Sequence, residues 1–224
     1  MPQATLTFTM AVIAVITLLL AVTSAKAALN GISTFRDGDT LFAPDRDGKI
    51  VAHQIINMTT EVQLPGMADK ITVPGTIEQV VAFINATYPG HDWVADEESN
   101  ATTSVFSPEG NTVYCNIGKQ GSYYTAFMIQ TYLRHFGSHK NSVLPGPGHC
   151  FRVSCRKDYD RTAAFYFCND DTRQVTFTFD DVADMAQIVM DKCVEFGTPL
   201  SWVRGQAFHA SLPWNVIVTA EDRC

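Results

Sequence analysis

The first 114 residues contain no cysteine, and from Ala28 to Tyr114 only four basic residues stand against twelve acidic ones. Those four, Arg36, Arg46, Lys49 and Lys70, are never adjacent, which argues against processing at a dibasic site and predicts that the acidic stretch stays attached. From Cys115 to Cys224 eleven basic residues are matched by eleven acidic ones. No part of the chain is therefore strongly basic, and nucleic-acid binding driven by phosphate contacts is not expected. Long apolar runs are missing too. The one run, Met10 to Val22, has 13 residues, short of the ~20 that a membrane helix needs. The C-terminus carries no hydrophobic anchor tail. No G-x-S-x-G, G-x-x-x-x-G-K or G-x-G-x-x-G occurs, so no serine nucleophile, phosphate cradle or cofactor is expected.

What is present begins with a secretory pattern. The apolar run ends at Ala25-Lys26-Ala27, an A-x-A cleavage signature, and predicts a signal peptide over 1–27. All six cysteines lie between Cys115 and Cys224, the arrangement of an exported domain stapled by disulfides. Asn57, Asn85 and Asn100 each open an N-x-T acceptor for N-glycosylation, and all three fall in the acidic part.

Hydrophobic periodicity places the elements. Leu41-Phe42 and Ile50-Val51 flank Pro44-Asp45-Arg46-Asp47-Gly48, which reads as a hairpin turning on Asp-Gly. A calcium loop over Asp45 to Ile50 lacks both end ligands, with Ala43 and Gln54 in their places. Thr76 to Thr87 reads as a helix, and His91 to Gly110 as a polar linker. A further helix is expected from Tyr123 to Phe136 with Phe127, Ile129, Leu133 and Phe136 on its apolar side. The clearest helix carries Val182, Met185, Ala186, Val189, Met190 and Cys193 on one stripe. Strands are expected at 151–154, 163–167, 174–179, 202–208 and 214–219.

The run Gly148 to Asp170 organises the rest. Paired antiparallel with Cys155 facing Ala163, its two strands bring Cys150 opposite Cys168, at a separation that a disulfide accepts. Cys115 reaches Cys193 if the two later helices lie side by side, which leaves Cys155 for Cys224. Six cysteines allow fifteen connectivities, and this is the one the geometric reading selects. The expected fold class is α+β. A small antiparallel sheet of about four strands, with two helices on one face, fills 115–224, and 28–114 precedes it as an acidic, glycosylated extension.

Cys115-Asn116-Ile117-Gly118, Gly146 to Cys155, Ala163 to Asp170, Gly205 to Phe208 and Trp214 to Val218 resemble a family of small secreted cysteine-rich fungal proteins. The order of elements is also similar to that of killer toxins from smut-fungus viruses. The resemblance implies an α/β sandwich and action on competing fungi or plant hosts without catalysis. This chain has fewer cysteines than those toxins and Asn116 where they carry a basic residue, so none of their functional residues is carried over.

Candidate chemistry is sparse. His135 and His139 have helical ligand spacing, with His149 as a third zinc ligand, but Gly137 interrupts the helix between them. Arg152, Glu195 and His209 supply the residue types of a small secreted ribonuclease, without a pattern that brings them to one face. Tyr159, Tyr166, Trp202 and Trp214 are possible contact aromatics, though aromatics beside strands usually belong to a core. The charged loop Arg156 to Arg161, with Arg156, Lys157, Tyr159 and Arg161, is the candidate contact surface. The expected function is that of an effector-like or toxin-like protein that binds an extracellular protein or cell-surface target. An extracellular ribonuclease and a structural cell-wall component are the alternatives.

Overall fold

The computed structural model describes residues 36–64, 67–91, 93, 109–137, 139–198 and 200–224. The signal peptide expected over 1–27, the acceptor Asn100 and most of the linker expected over 91–110 lie outside them. Among the described residues the chain forms strands β1 (Arg36–Asp37), β2 (Thr40–Pro44), β3 (Ile50–Ile55), β4 (Thr59–Val62) and β5 (Ile71–Pro74), then helix α1 (Ile77–Thr87). There follow β6 (Thr112–Cys115), β7 (Gly121–Ser122), α2 (Tyr123–His135), β8 (Lys140–Val143), β9 (His149–Asp158), β10 (Arg161–Asn169) and β11 (Val175–Thr178). Helix α3 (Phe179–Cys193) leads to β12 (Val194–Glu195), β13 (Trp202–Val203), β14 (Gly205–Phe208) and β15 (Trp214–Thr219).

The helices start where side chains satisfy their first free amides. Thr178 caps α3, accepting from the Asp181 amide at 3.2 Å while Asp181 returns a carboxylate to the Thr178 amide at 2.7 Å. In α1 the Gln79 side chain closes back on the Thr76 amide at 2.9 Å. Both residues before the helices are threonine, and both helices bury the stripe that the spacing marks, from Val182 to Cys193 and from Ile77 to Ile84. In α2 the buried side is Ala126, Ile129, Gln130 and Leu133, and Phe127 is 47 % exposed, contrary to the expected face.

The largest sheet has eight strands in the order β1-β2-β3-β9-β10-β15-β14-β6, all antiparallel except where β3 runs parallel to β9. A four-stranded sheet β11-β8-β4-β5 and a three-stranded sheet β12-β13-β7 complete the strands. The large sheet curls until its first hairpin meets its last strands. Tyr114 Oη on β6 donates to the Arg46 carbonyl at 3.0 Å, and Gln206 Nε2 on β14 donates to the Pro44 carbonyl at 3.0 Å. Inside the curl Leu41, Ala43, Cys150, Ala164, Tyr166, Cys168 and Ile217 form a small core. The opposite face carries the main core, where Phe151, Phe165, Phe167, Val216 and Val218 meet α2, α3 and the second sheet.

This architecture overturns the expected small four-stranded sheet with two helices on one face. The chain is mostly β, with three helices among the described residues. The stretch read as an acidic extension contributes β1, β2, β3 and most of β6 to the large sheet and β4 and β5 to the second. The physical reason lies in β9. Its outer edge has amides and carbonyls to satisfy, and the Cys150–Ile217 face has apolar area to cover. The amides of Gln54 and Ile56 donate to the carbonyls of Gly148 and Cys150 at 2.7 and 2.8 Å, and Leu41, Ala43 and Ile55 close the face. The acidic residues Asp37, Asp39, Asp45 and Asp47 lie at or beside the turns, outside the small core.

Candidate functional site

The β9–β10 hairpin carries the candidate contact surface, and a bulge sets which way its side chains face. Cys150 lies opposite Cys168 and Arg152 opposite Tyr166, but Ser154 faces Phe165 and Cys155 faces Ala164. Val153 is the extra residue, so the expected Cys155–Ala163 pairing is off by one. The bulge places Val153 and Ser154 both on the helix side and returns Cys155 to the curl side. Arg156, opposite Ala163, therefore also faces the helices.

The strands are longer than expected. Pairing continues to Asp158 and Arg161, so the charged loop read over Arg156 to Arg161 is reduced to a two-residue turn, Tyr159-Asp160. Tyr159 has a φ of 56° and is 92 % exposed. A bulky side chain seldom takes this left-handed conformation. Arg156 and Lys157 are exposed beside it and Arg161 is half-buried.

Arg156 also lines a cleft of about 250 Å³ with Glu78 of α1, Met128, Ile129 and Tyr132 of α2, and Ser154 and Cys155 of β9. The Ser154 hydroxyl, which the bulge turns to this side, donates to the Glu78 carboxylate. Burial pushes the Tyr132 phenol up to about 12, and the Glu78 charge adds to the rise. Tyr132 thus remains a neutral donor at any physiological pH. The arrangement can accept a ligand group that offers donors to Glu78 and acceptors to Tyr132, against an apolar wall.

Three disulfides hold this region: Cys115–Cys193, Cys150–Cys168 and Cys155–Cys224, with Cα separations of 5.2, 4.0 and 5.1 Å. They join the same residues that the sequence reading paired. Gly205 lies against the first of them. A Cβ there would meet Cys193 Sγ at 2.8 Å and the Tyr114 carbonyl at 2.9 Å, so the close approach of β14 to β6 and α3 requires glycine.

The chain end is fastened by charge. Arg36 Nη1 lies 2.6 Å from Glu221 Oε2 and 3.2 Å from the Tyr166 hydroxyl, which itself donates to Glu221. Burial works to raise the Glu221 carboxyl, but the hydrogen bonds from Tyr166 and Arg36, with the Arg36 and Arg152 charges, outweigh it and hold the group below its usual value of 4.5. A depressed carboxylate contributes stability that is present above its ordinary pKa and is lost as pH falls through the folded value. Glu221→Gln is expected to lose about 2 kcal/mol near neutral pH, the scale of a charged hydrogen bond. The gap to the unsubstituted protein should narrow as pH falls below the usual carboxylate value and through the depressed folded one, as followed by urea unfolding. A gap that stays constant with pH would show that the network contributes no such stability.

The other expected candidates separate. Arg152 donates to the Arg223 carbonyl at 2.6 Å, Glu195 accepts from Gln120 at 2.8 Å and from Arg204 at 3.3 Å, and His209 Nδ1 accepts from the Leu212 amide at 3.0 Å. Glu195 thus sits by Arg204, before β14, and His209 follows its far end. His139 Nδ1 is 2.7 Å from the Phe136 carbonyl, and His149 Nδ1 turns to the Pro145 carbonyl. His135, His139 and His149 do not form a ligand cluster. Asp45 Oδ1 is taken by the amides of Asp47 and Lys49 at 3.1 and 2.9 Å, as in a closed turn. Tyr166 and Trp214 are buried, and Trp202 is half-buried. Asn57 and Asn85 are exposed.

One group was not legible in the sequence. His53 of β3 is 2 % exposed and lies beside Cys150 and Cys168, and the ligand atoms of the three lie within 4.8 Å of one another. Its single-letter surroundings, Val51-Ala52-His53-Gln54, carry no metal or catalytic spacing. Only the parallel pairing of β3 to β9 brings it to the cysteines. No helix among the described residues is long and apolar enough to cross a membrane. Comparison of the chain with protein-family models, curated proteins and solved structures finds no match.

Proposed function

We propose that this chain is an exported, disulfide-stapled binding protein, effector-like or toxin-like in the manner of the secreted fungal proteins it resembles. It acts without catalysis, engaging an extracellular protein or cell-surface target through the β9–β10 tip and the adjoining cleft. Three disulfides are consistent with an oxidising, extracellular setting.

Tyr159 carries the reading. It sits in an unfavourable backbone region with its ring 92 % exposed, on a hairpin anchored by two disulfides. Backbone strain of this kind costs about 1–3 kcal/mol and concentrates where a side chain is held for contact. Tyr and Arg are the residues that most often dominate binding interfaces. Arg156 and Lys157 stand next to it, and Arg156 joins tip to cleft.

Tyr159→Gly tests this on both counts. Glycine accepts a positive φ, so the variant should gain about 1 kcal/mol in stability. It should also lose about 30-fold in binding, the equivalent of a 2 kcal/mol contact. The assay is retention of fluorescently labelled protein on isolated fungal cell walls and on plant protoplasts. Unchanged retention would remove the tip from the binding surface. Incubation with RNA is expected to give no cleavage, and cleavage abolished by Glu195→Gln would favour the ribonuclease alternative.

A further inference from the structure

We propose that His53, Cys150 and Cys168 form a zinc site that opens when the Cys150–Cys168 disulfide is reduced. Three adjacent strands supply the residues. Cys150 pairs directly with Cys168 across β9 and β10, and Ile55, two residues from His53 on the same face of β3, pairs with Cys150. The imidazole nitrogen and both sulfurs lie within 4.8 Å of one another, and all three residues are buried.

The imidazole itself points to a ligand. Both ring nitrogens of His53 are buried without a hydrogen-bond partner among the described residues. A buried polar atom left unpaired costs free energy, and most such atoms in native proteins find partners. Leu41, directly opposite on β2, offers it no polar side-chain group. Two sulfurs are what it faces. Paired with each other they are poor ligands, but as thiolates they are strong ones.

A dithiol reductant gives two electrons and two protons to the S–S bond, which breaks to two thiols while the reductant closes to its own disulfide. Zn²⁺ then displaces the two thiol protons to solvent and forms two Zn–S bonds and one Zn–N bond. Two thiolates and a neutral imidazole are a zinc-type donor set. The charges of Zn²⁺ and two thiolates cancel, whereas Cu⁺ would leave a net negative charge in an apolar interior, where an unbalanced charge is disfavoured. The same three side chains therefore clamp β9 to β10 in either redox state, by a covalent bond in one and by a metal in the other.

The test uses the full chain reduced with a trialkylphosphine, which is oxidised to its phosphine oxide with water supplying the oxygen and the two protons. Co²⁺ serves as a spectroscopic probe. The reduced chain is expected to take up one equivalent with thiolate-to-cobalt charge-transfer absorption, and Zn²⁺ should displace it. His53→Gln and the double variant Cys150→Ala/Cys168→Ala should each weaken uptake at least tenfold. The variants Cys115→Ala/Cys193→Ala and Cys155→Ala/Cys224→Ala should retain it. Zn²⁺ should raise the Tm of the reduced chain but not that of reduced His53→Gln. The site is overturned if no absorption appears, if His53→Gln binds as the unsubstituted chain does, or if all three cysteine-pair variants lose uptake equally.

Discussion

Phe167→Ala is expected to cost about 3–5 kcal/mol, the range for removing a large aromatic from a core that cannot collapse around the gap. Phe167 is fully buried on β10, and its ring centroid lies 5.4 Å from Phe151, 4.2 Å from Phe177 and 5.0 Å from Trp214. Phe151 and Trp214 belong to the large sheet, on β9 and β15, while Phe177 belongs to β11 of the second sheet. The ring is thus the joint between two sheets, and its loss opens a cavity lined by three aromatics on separate strands. Urea unfolding should show a lower midpoint with an unchanged slope. Phe127→Ala on the exposed side of α2 serves as the control and should change stability by less than about 1 kcal/mol. Equal effects from the two would mean that the sheets do not share a packed core.

The second large effect is in the cross-links. Removing Cys115–Cys193 as a double alanine variant is expected to cost about 4.5 kcal/mol in the chain-entropy view, whose mechanism is disputed. The bond closes a sequence separation of 78, whereas Cys150–Cys168 closes 18 and is worth about 3 kcal/mol on the same basis. The difference of roughly 1.3 kcal/mol is the sharper prediction, because logarithmic loop-length dependence fixes its sign. Thermal unfolding of the two double variants side by side checks it. If the loss of Cys150–Cys168 proved the more damaging, local packing around the sulfurs would outweigh loop closure.

Several features were legible because their causes are local. The stripe from Val182 to Cys193 defines α3 by period alone, and Thr178 with Asp181 sets its start. The pairing of β9 with β10 follows from two strands joined by a short turn, though Cys150 meets Cys168 only because the Val153 bulge shifts the register that the turn sets. Other features were not legible because their causes lie far away in the chain. Thr40 to Pro44 and Ile50 to Ile55 form a hairpin on local grounds, but nothing within it shows that Gln54 and Ile55 will dock on His149 and Cys150, some 95 residues later. The acidic composition around these strands pointed to a solvated extension. Yet the charges fall in and around the turns, while a few alternating residues, Leu41, Ala43 and Ile55, are enough to cover the inner face of the curl.

The candidate site divides in the same way. Arg156, Lys157, Tyr159 and Arg161 were visible as a charged turn, but the exposure of Tyr159 at a positive φ was not. Ser154 and Arg156 face Glu78 and Tyr132 only because Val153 is bulged, and a bulge leaves no mark in an alternating pattern. By itself the amino-acid order determined the helices, the central hairpin and the cysteines available for cross-linking, since each depends on contacts within a turn or two of chain or across one tight reversal. Only the tertiary structure decided that the acidic half closes the large sheet, that His53 meets two sulfurs, and that the hairpin tip adjoins a cleft. Those outcomes depend on which distant strand satisfies an open edge, a choice made by the summed burial and hydrogen bonding of the whole sheet.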